Sequence, residues 1–347
     1  MMSQDTVTPQ AIIRQLCMGL RASQVAYIAA QLELADHLAD HPMTTQSLAT
    51  ATSTDPASLR RVLRALVAVG VLAEAEPDLF SLTAVGQLLR SDNSQSLKAL
   101  VLFLTGDVRW RCWGDLLESV RTGQPAAQRV LGMSGFDLGA VNPEFAKIHA
   151  AAMAATSAIV GPAICQAYDF SRFTCVVDVG GGSGQFLTDI LRVNPRLQGV
   201  LFDLPHIVAH APPILTAAGV ADRCRIESGS FFESVPAGGD AYVLKYIIHD
   251  WDDPRAGAIL ATCRRAMPSN GAVLVVERLL PHRAKTGIQT DDYFIDLEML
   301  ATTPGGRERT EGEFRELFAA AGLALVQVVT TASPFKVFEG RPALGSA

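Results

Sequence analysis

The sequence predicts an α/β protein: a Rossmann-like, doubly wound sheet over residues 169–347, preceded by a winged helix over residues 1–105. Three observations carry this. From Asp169 onward, short apolar runs alternate with helical stretches, the pattern of a sheet with crossover helices. The first run ends in a glycine-rich turn, Val176-Val-Asp-Val-Gly-Gly-Gly-Ser-Gly-Gln185. Near the front, a helix, a second helix and two short apolar pieces follow one another, the order of a winged helix.

Taken in order, residues 12–41 form a nearly continuous Ala/Leu/Ile pattern and predict one long helix. That helix is too apolar to stand alone in water, so the chain is expected to form a homodimer through it. Segments 47–50 and 82–89 continue the helical pattern. Residues 56–70 start on Pro56, space Leu59, Leu63, Leu66 and Val67 helically, and stop at Gly70. Residues 71–82 break around Glu76-Pro77-Asp78 and predict a hairpin. Residues 106–168 read as a mostly helical linker carrying Trp110, Trp113, Phe136, Phe145 and Met153. Predicted strands then follow at 175–179, 198–203, 223–228, 240–247 and 272–279, with 323–330 and 335–338 as a closing antiparallel pair. Helices fall at 185–192, 207–218, 255–267 and 311–321.

With 347 residues, 49% hydrophobic and 18% charged, the chain can bury a large core and exceeds one ordinary domain. Its formal charge of −6 disfavours a general nucleic-acid binder. The six cysteines form no C-x-x-C pair, so neither a zinc site nor a disulfide framework is expected. Reduced thiols fit a cytoplasmic protein. The first ten residues show no signal-peptide pattern, and no uninterrupted apolar run reaches the roughly 18 residues of a membrane span.

The chemistry concentrates at predicted strand ends. The turn after residue 179 does not fit G-x-G-x-x-G: counted from Gly180, the third glycine falls on Gln185. It therefore suits a smaller nucleoside ligand better than a dinucleotide. Asp203 ends the next strand on the same sheet edge, where a carboxylate accepts both hydroxyls of a ribose. His249 leaves the fourth strand at that edge. An imidazole titrates near neutral pH and takes a proton from a weak acid such as a phenol. Lys245, four residues earlier, either reaches the ligand or faces water. Glu277 ends the fifth strand and Glu308 precedes a helix. Either can orient the imidazole through Nδ1; equally, they can be a strand-end salt bridge and a helix-start charge.

Five segments together, VVDVGGGSGQF, LFDLP, LKYIIHDWDD, VVERLLP and PGGRERTEGEFRELFAAAGL, resemble the S-adenosylmethionine-dependent O-methyltransferases of the caffeate/hydroxyindole type, in their bacterial natural-product branch. The resemblance covers nearly the whole chain. It implies a methyltransferase-type Rossmann-like catalytic domain (169–347), an all-helical winged-helix dimerisation domain (1–105), and a helical linker and acceptor-pocket region (106–168). It also implies methyl transfer to a hydroxyl, with S-adenosylhomocysteine as product. Gly180 and Gly182 would lie against the cofactor, Asp203 on its ribose, and Leu204, Ser230 and Phe231 around its adenine. Lys245 would reach the cofactor and Trp251 would pack near it. His249 would be the base, supported by Glu277 and Glu308, and no metal is implied. Ser230 departs from the family, many of whose members carry Asp there to bind the adenine amino group.

The acceptor is expected to be a flat aromatic small molecule, a polycyclic phenol or N-hydroxy heteroaromatic of secondary metabolism such as antibiotic biosynthesis. Phe103, Trp110, Trp113, Phe136, Met153 and Met299 supply soft apolar walls. Met299 and Thr303 match acceptor-lining positions of the family. Two other readings stand beside this one. A relative on the same scaffold can use the cofactor in hydroxylation or decarboxylation. A winged helix can also read DNA, but residues 53–90 carry four basic residues (Arg60, Arg61, Arg64, Arg90) against four acidic (Asp55, Glu74, Glu76, Asp78), with no basic footprint.

Overall fold

The structure is a computed structural model that describes residues 8–284 and 290–343, with the side chains of Phe136 and Thr290 left outside the description. The chain divides into two compact units. One runs to Trp110 and includes Lys147–Ala155; the other comprises Arg111–Ala146 and Thr156 onward.

The first unit is helical with a small sheet, so the all-helical expectation needs that addition. Strand β1 (Met43–Thr44) pairs antiparallel with β3 (Leu79–Leu82), which pairs with β2 (Leu72–Glu76). Two helices precede the β2–β3 hairpin, Thr45–Thr52 and Pro56–Ala68. Asp55 caps the second, accepting from the Ser58 N–H at 2.8 Å. Leu59, Leu63 and Leu66 fill the core together with Phe80. The long front helix is shorter than its pattern, Pro9–Gln31. Glu33 takes a left-handed φ of 54° and starts a separate short helix, Leu34–His37. Ile13, Leu16 and Leu20 on the long helix are 62%, 66% and 58% exposed, an apolar stripe that this chain leaves uncovered.

The second unit is built on a seven-stranded sheet. β4 (Cys175–Val179), β5 (Gln198–Asp203), β6 (Cys224–Ser228), β7 (Ala241–Lys245) and β8 (Ala272–Arg278) are parallel. β9 (Leu323–Thr330) and β10 (Phe335–Pro342) add an antiparallel pair, giving the order β6-β5-β4-β7-β8-β10-β9. Buried apolar side chains cover both faces of the parallel part, so its strands read as continuous runs rather than alternating ones. The strand order reverses between β4 and β7, and at such a switch point the carboxyl ends open a ligand crevice.

Two predicted elements are interrupted. The helix expected over 207–218 is split into Pro205–Val208 and Ala211–Ala217, because Pro212 and Pro213 begin a new helix where they supply no N–H. The strand expected over 240–247 stops at Lys245, because Tyr246 turns to φ 59°. One described helix, Pro143–Ala167, is long and apolar enough to cross a membrane by length and composition. Its later residues Val160 and Ile164 belong to the core of the second unit.

Candidate active site

The carboxyl ends of β4, β5 and β7 assemble the nucleoside side of the site. Gly180, Gly182 and Gly184 all have positive φ (71°, 61° and 84°), so the turn exists only because these residues lack Cβ. A Cβ at Gly180 would overlap Ile247 from the β7 turn. Asp203 binds back across this edge. One carboxylate oxygen accepts from the Gly182 N–H at 2.9 Å, the other from the Leu204 N–H at 2.7 Å. Burial raises the Asp203 pKa, and those two backbone bonds oppose the rise. Leu204 is 44% exposed and free to lie on a base. Phe231 approaches Gly180 and meets Trp251 edge-on, with ring centroids 6.2 Å apart. The Ser230 hydroxyl accepts from the Phe232 N–H at 3.3 Å. Phe232, which the sequence reasoning passed over, meets Trp251 at 4.8 Å and is itself exposed.

Lys245 is half-buried at the end of β7. Its Nζ lies 5.7 Å from the Phe186 ring centre and 4.8 Å from that of Tyr246. Burial depresses its pKa to about 8, against the pull of Asp178, Glu277 and Asp189. Asp178 lies under the glycine turn, 1% exposed, with Oδ2 unpaired. Burial raises its pKa to about 7, and Lys245 opposes the rise. A glycine cradle, a carboxylate at the end of β5 and a half-buried lysine on one edge fit S-adenosylmethionine.

His249, Glu277 and Glu308 do come together. His249 Nδ1 lies 2.7 Å from Glu308 Oε1 and 3.6 Å from Glu277 Oε2. With Nδ1–H donated to Glu308, Nε2 remains for an acceptor proton. Burial alone would lower the His249 pKa; Glu277, Glu308 and Asp250 outweigh it and raise it to about 10. Burial, opposed by the imidazole charge, raises Glu277 to about 7. The two glutamates have different tasks. Glu277 Oε1 accepts the backbone N–H groups of Ile247, Ile248 and His249 at 3.0, 2.9 and 3.3 Å. It therefore holds the turn that carries the imidazole, whereas Glu308 holds the ring. The three side chains place ligand-type atoms within 4.8 Å of one another, a spacing that a metal ion also accepts; Oε1 of each glutamate is hydrogen-bonded, whereas Oε2 of each is buried without a hydrogen-bond partner.

Arg309 was missed by the sequence reasoning. It looks like a surface charge in Arg307-Glu-Arg309 yet is 0% exposed. Its guanidinium donates to the Ile248 and Trp251 carbonyls at 3.0 and 2.8 Å and to Asp253 at 2.8 Å. The Arg307 N–H donates to the His249 carbonyl at 2.8 Å, and a Cβ on Gly306 would overlap that same oxygen. The signal available was the Gly-Gly-Arg run itself, since close backbone approach requires glycine.

The expected acceptor residues are distributed over both units. In the first, Phe103 is buried and stacks on His149 with ring centroids 4.9 Å apart, while the Arg109 guanidinium lies 4.3 Å over it. Burial, with Arg109 adding to it, lowers His149 to about 4. Trp110 and Met153 belong to the same unit, Trp110 40% exposed. In the second, the Trp113 indole N–H donates to Glu298, the neighbour of buried Met299. Thr303 donates to the Met299 carbonyl at 2.8 Å and accepts from the Gly306 N–H at 3.0 Å, which makes it a brace for the helix end.

Comparison with known proteins agrees with this architecture. Residues 113–324 match the model of an O-methyltransferase domain, and residues 14–92 that of an O-methyltransferase dimerisation domain. The chain is 41% identical over 332 residues to the phenazine O-methyltransferase PhzM of Lysobacter antibioticus, covering 96% of both chains. It is 34% identical to the 8-amino-8-demethylriboflavin N,N-dimethyltransferase of Streptomyces davaonensis, covering 95% of both. Among solved structures, LaPhzM superposes with TM-score 0.93 at 41% identity, over 97% of this chain and 100% of that one. CalO1, a methyltransferase in calicheamicin biosynthesis bound to S-adenosylhomocysteine, gives 0.82 at 36% identity, over 98% and 100%.

Proposed function

The chain belongs to the S-adenosylmethionine-dependent O-methyltransferases, and from that membership we propose that it methylates a hydroxyl of an aromatic small molecule with His249 as general base. One observation carries the reading: the 2.7 Å contact of His249 Nδ1 with Glu308, which leaves Nε2 as the proton acceptor. Bound at the glycine turn, S-adenosylmethionine supplies an electrophilic sulfonium methyl. Alignment of the acceptor against it contributes up to about 7–11 kcal/mol. Proton removal by His249 adds about 10²–10⁴-fold.

At rest the raised pKa keeps the imidazole protonated at neutral pH. His249 sheds that proton more readily when positive charge is bound at the same edge, because like charges disfavour one another. Glu308 keeps the ring oriented through the change, and Glu277 with Arg309 keeps its backbone fixed.

For the acceptor, the phenazine relative and the soft apolar side chains Trp113 and Met299 of the second unit support a polycyclic phenol or N-hydroxy heteroaromatic. The dimethyltransferase relative supports an amine acceptor as the second reading. The exposed stripe of Ile13, Leu16 and Leu20 and the matched dimerisation domain support a homodimer. That no disulfide joins the six cysteines supports a cytoplasmic location. The test is a panel of fused-ring phenols, N-hydroxy heterocycles and matched aryl amines, scored by product mass and by S-adenosylhomocysteine release. Methylated phenol is the expected product. Methylation confined to amines would replace the hydroxyl reading, and S-adenosylhomocysteine-independent turnover would replace methyl transfer.

A further inference from the structure

The residue that follows β7, Tyr246, is the one non-glycine residue of the site's described turns with a left-handed backbone, φ 59°. A bulky aromatic rarely adopts that conformation, and where one does the surroundings must hold it there. The next residue, Ile247, is right-handed at φ −117°, ψ −49°. A left-handed residue followed by a right-handed one turns successive N–H groups inward into an anion-binding nest. Here the anion is built in: Glu277 Oε1 takes the N–H groups of residues 247, 248 and 249. The twist at Tyr246 turns the Ile247 and Ile248 N–H groups onto Glu277, while its own N–H stays on the Val276 carbonyl at 3.3 Å.

The conformation explains a turn, but not why an aromatic side chain occupies it when glycine would adopt it without strain. Among the described residues the ring meets two other rings and one cation. It meets the His249 imidazole at 5.2 Å with a 43° tilt, and Phe335 edge-on at 4.6 Å. The Lys245 ammonium lies 4.8 Å from its centre. Phe335 in turn lies under the Arg278 guanidinium, 5.3 Å from its ring centre, and Arg278 is itself paired with Asp292. The Tyr246 ring thus touches both the lysine of the cofactor side and the imidazole, and packs on Phe335 of β10.

We propose that Tyr246 is a positioning residue for the transfer: its ring, packed against the His249 imidazole, fixes that imidazole's rotation. This rests on His249 acting as the base. An acceptor that is already ionised needs no base, so misplacing the imidazole harms only the neutral acceptor.

The experiment compares kcat at saturating cofactor for an accepted phenol and for its nitro-substituted analogue, ionised at the assay pH. The proteins are the wild type, Tyr246→Asn, Tyr246→Phe and His249→Ala. Asn tolerates left-handed φ, so it preserves the nest while removing the ring. If Tyr246→Asn fails to fold, Tyr246→Leu takes its place under the same criteria. With the neutral phenol, removing the ring should cost on the order of tenfold to 10²-fold in kcat, the scale of an ångström misplacement. With the ionised analogue the loss should vanish. Tyr246→Phe, which keeps the ring, should restore the neutral-phenol rate. Equal losses on both acceptors, no loss at all, or a Phe variant as slow as the Asn variant would each overturn the proposal. If His249→Ala shows the acceptor-selective loss and the ring-removing variant does not, only the role of Tyr246 falls. If neither shows it, the base falls as well.

Discussion

Two turns leave parallel strands at the same sheet edge, and they are held by opposite means. The turn after β4 is made by absence: three left-handed glycines, few side-chain contacts, and one carboxylate, Asp203, reaching over from β5. The turn after β7 is made by excess. Glu277, Glu308 and Arg309, all at most 2% exposed, together with His249, bond to its backbone or to one another. Binding a nucleoside requires open backbone, whereas holding a base requires a ring that cannot rotate. The difference teaches that the two halves of the site should fail separately: changes at the β4 turn should appear in cofactor affinity, and changes at the β7 turn in kcat and its pH dependence.

The largest expected effect is at the β7 turn. His249→Ala should lower kcat for a neutral phenol by about 10²–10⁴, with cofactor affinity by calorimetry nearly unchanged. A neutral phenol methylated at the wild-type rate would make His249 a structural residue. The matching break on the other side is Asp203→Ala. Loss of a charged acceptor for the ribose hydroxyls should weaken S-adenosylmethionine binding by about 1.5–3 kcal/mol. An unchanged dissociation constant in the folded variant would remove Asp203 from the site. If Asp203→Ala instead lowered kcat at saturating cofactor as much as His249→Ala does, the two turns would not be separable.

The pH dependence tests the same division. A general base acts in its neutral form, and the pKa of His249 is raised. In the free enzyme, kcat/KM should therefore climb with pH beyond the ordinary imidazole range toward about 10. The midpoint of kcat should lie lower, because bound positive charge favours loss of the proton. Glu308→Gln keeps the shape and removes one of the charges that raise the pKa. It should move the kcat/KM midpoint down by about 1–3 units, the usual effect of an adjacent opposite charge. A profile whose midpoint stays in place would show that the rate follows another group.

How much of this was legible in the sequence differs between the same two turns. The β4 turn lies within one contiguous stretch, and the predicted boundaries of β4, β5 and β9 coincide with the observed ones because buried parallel or closing strands are bounded by turn residues. The β7 turn draws its partners from 28 and 59 residues away, and no local pattern announces a pairing across that distance. The motif resemblance named Glu277 and Glu308 but could not divide their tasks. Arg309 escaped because a charged residue between charged neighbours looks solvated; only the fold shows that carbonyls of residues 248 and 251 require a buried donor. Tyr246 escaped because its apolar character extends the strand pattern, whereas its backbone ends the strand.

The smallest expected effect gives the sharpest comparison. Ser230 follows the end of β6, and its hydroxyl accepts from the Phe232 N–H. As a neutral partner for the adenine amino group it contributes at most one ordinary hydrogen bond, about 0.5–1.5 kcal/mol, against about 1.5–3 for a charged one. Ser230→Asp should therefore tighten S-adenosylmethionine binding by about 1 kcal/mol, near fivefold. Glu227 and Glu233 lie close in sequence, and their like charge takes back part of the gain. Calorimetry of the variant checks the affinity, and a parallel kcat–pH profile checks the separation. Nothing at residue 230 bonds to the His249 trio, so the profile should overlie that of the wild type. A shifted profile would show that charge placed on the adenine side reaches the imidazole, and the two turns would then share one electrostatic site rather than dividing binding from proton removal.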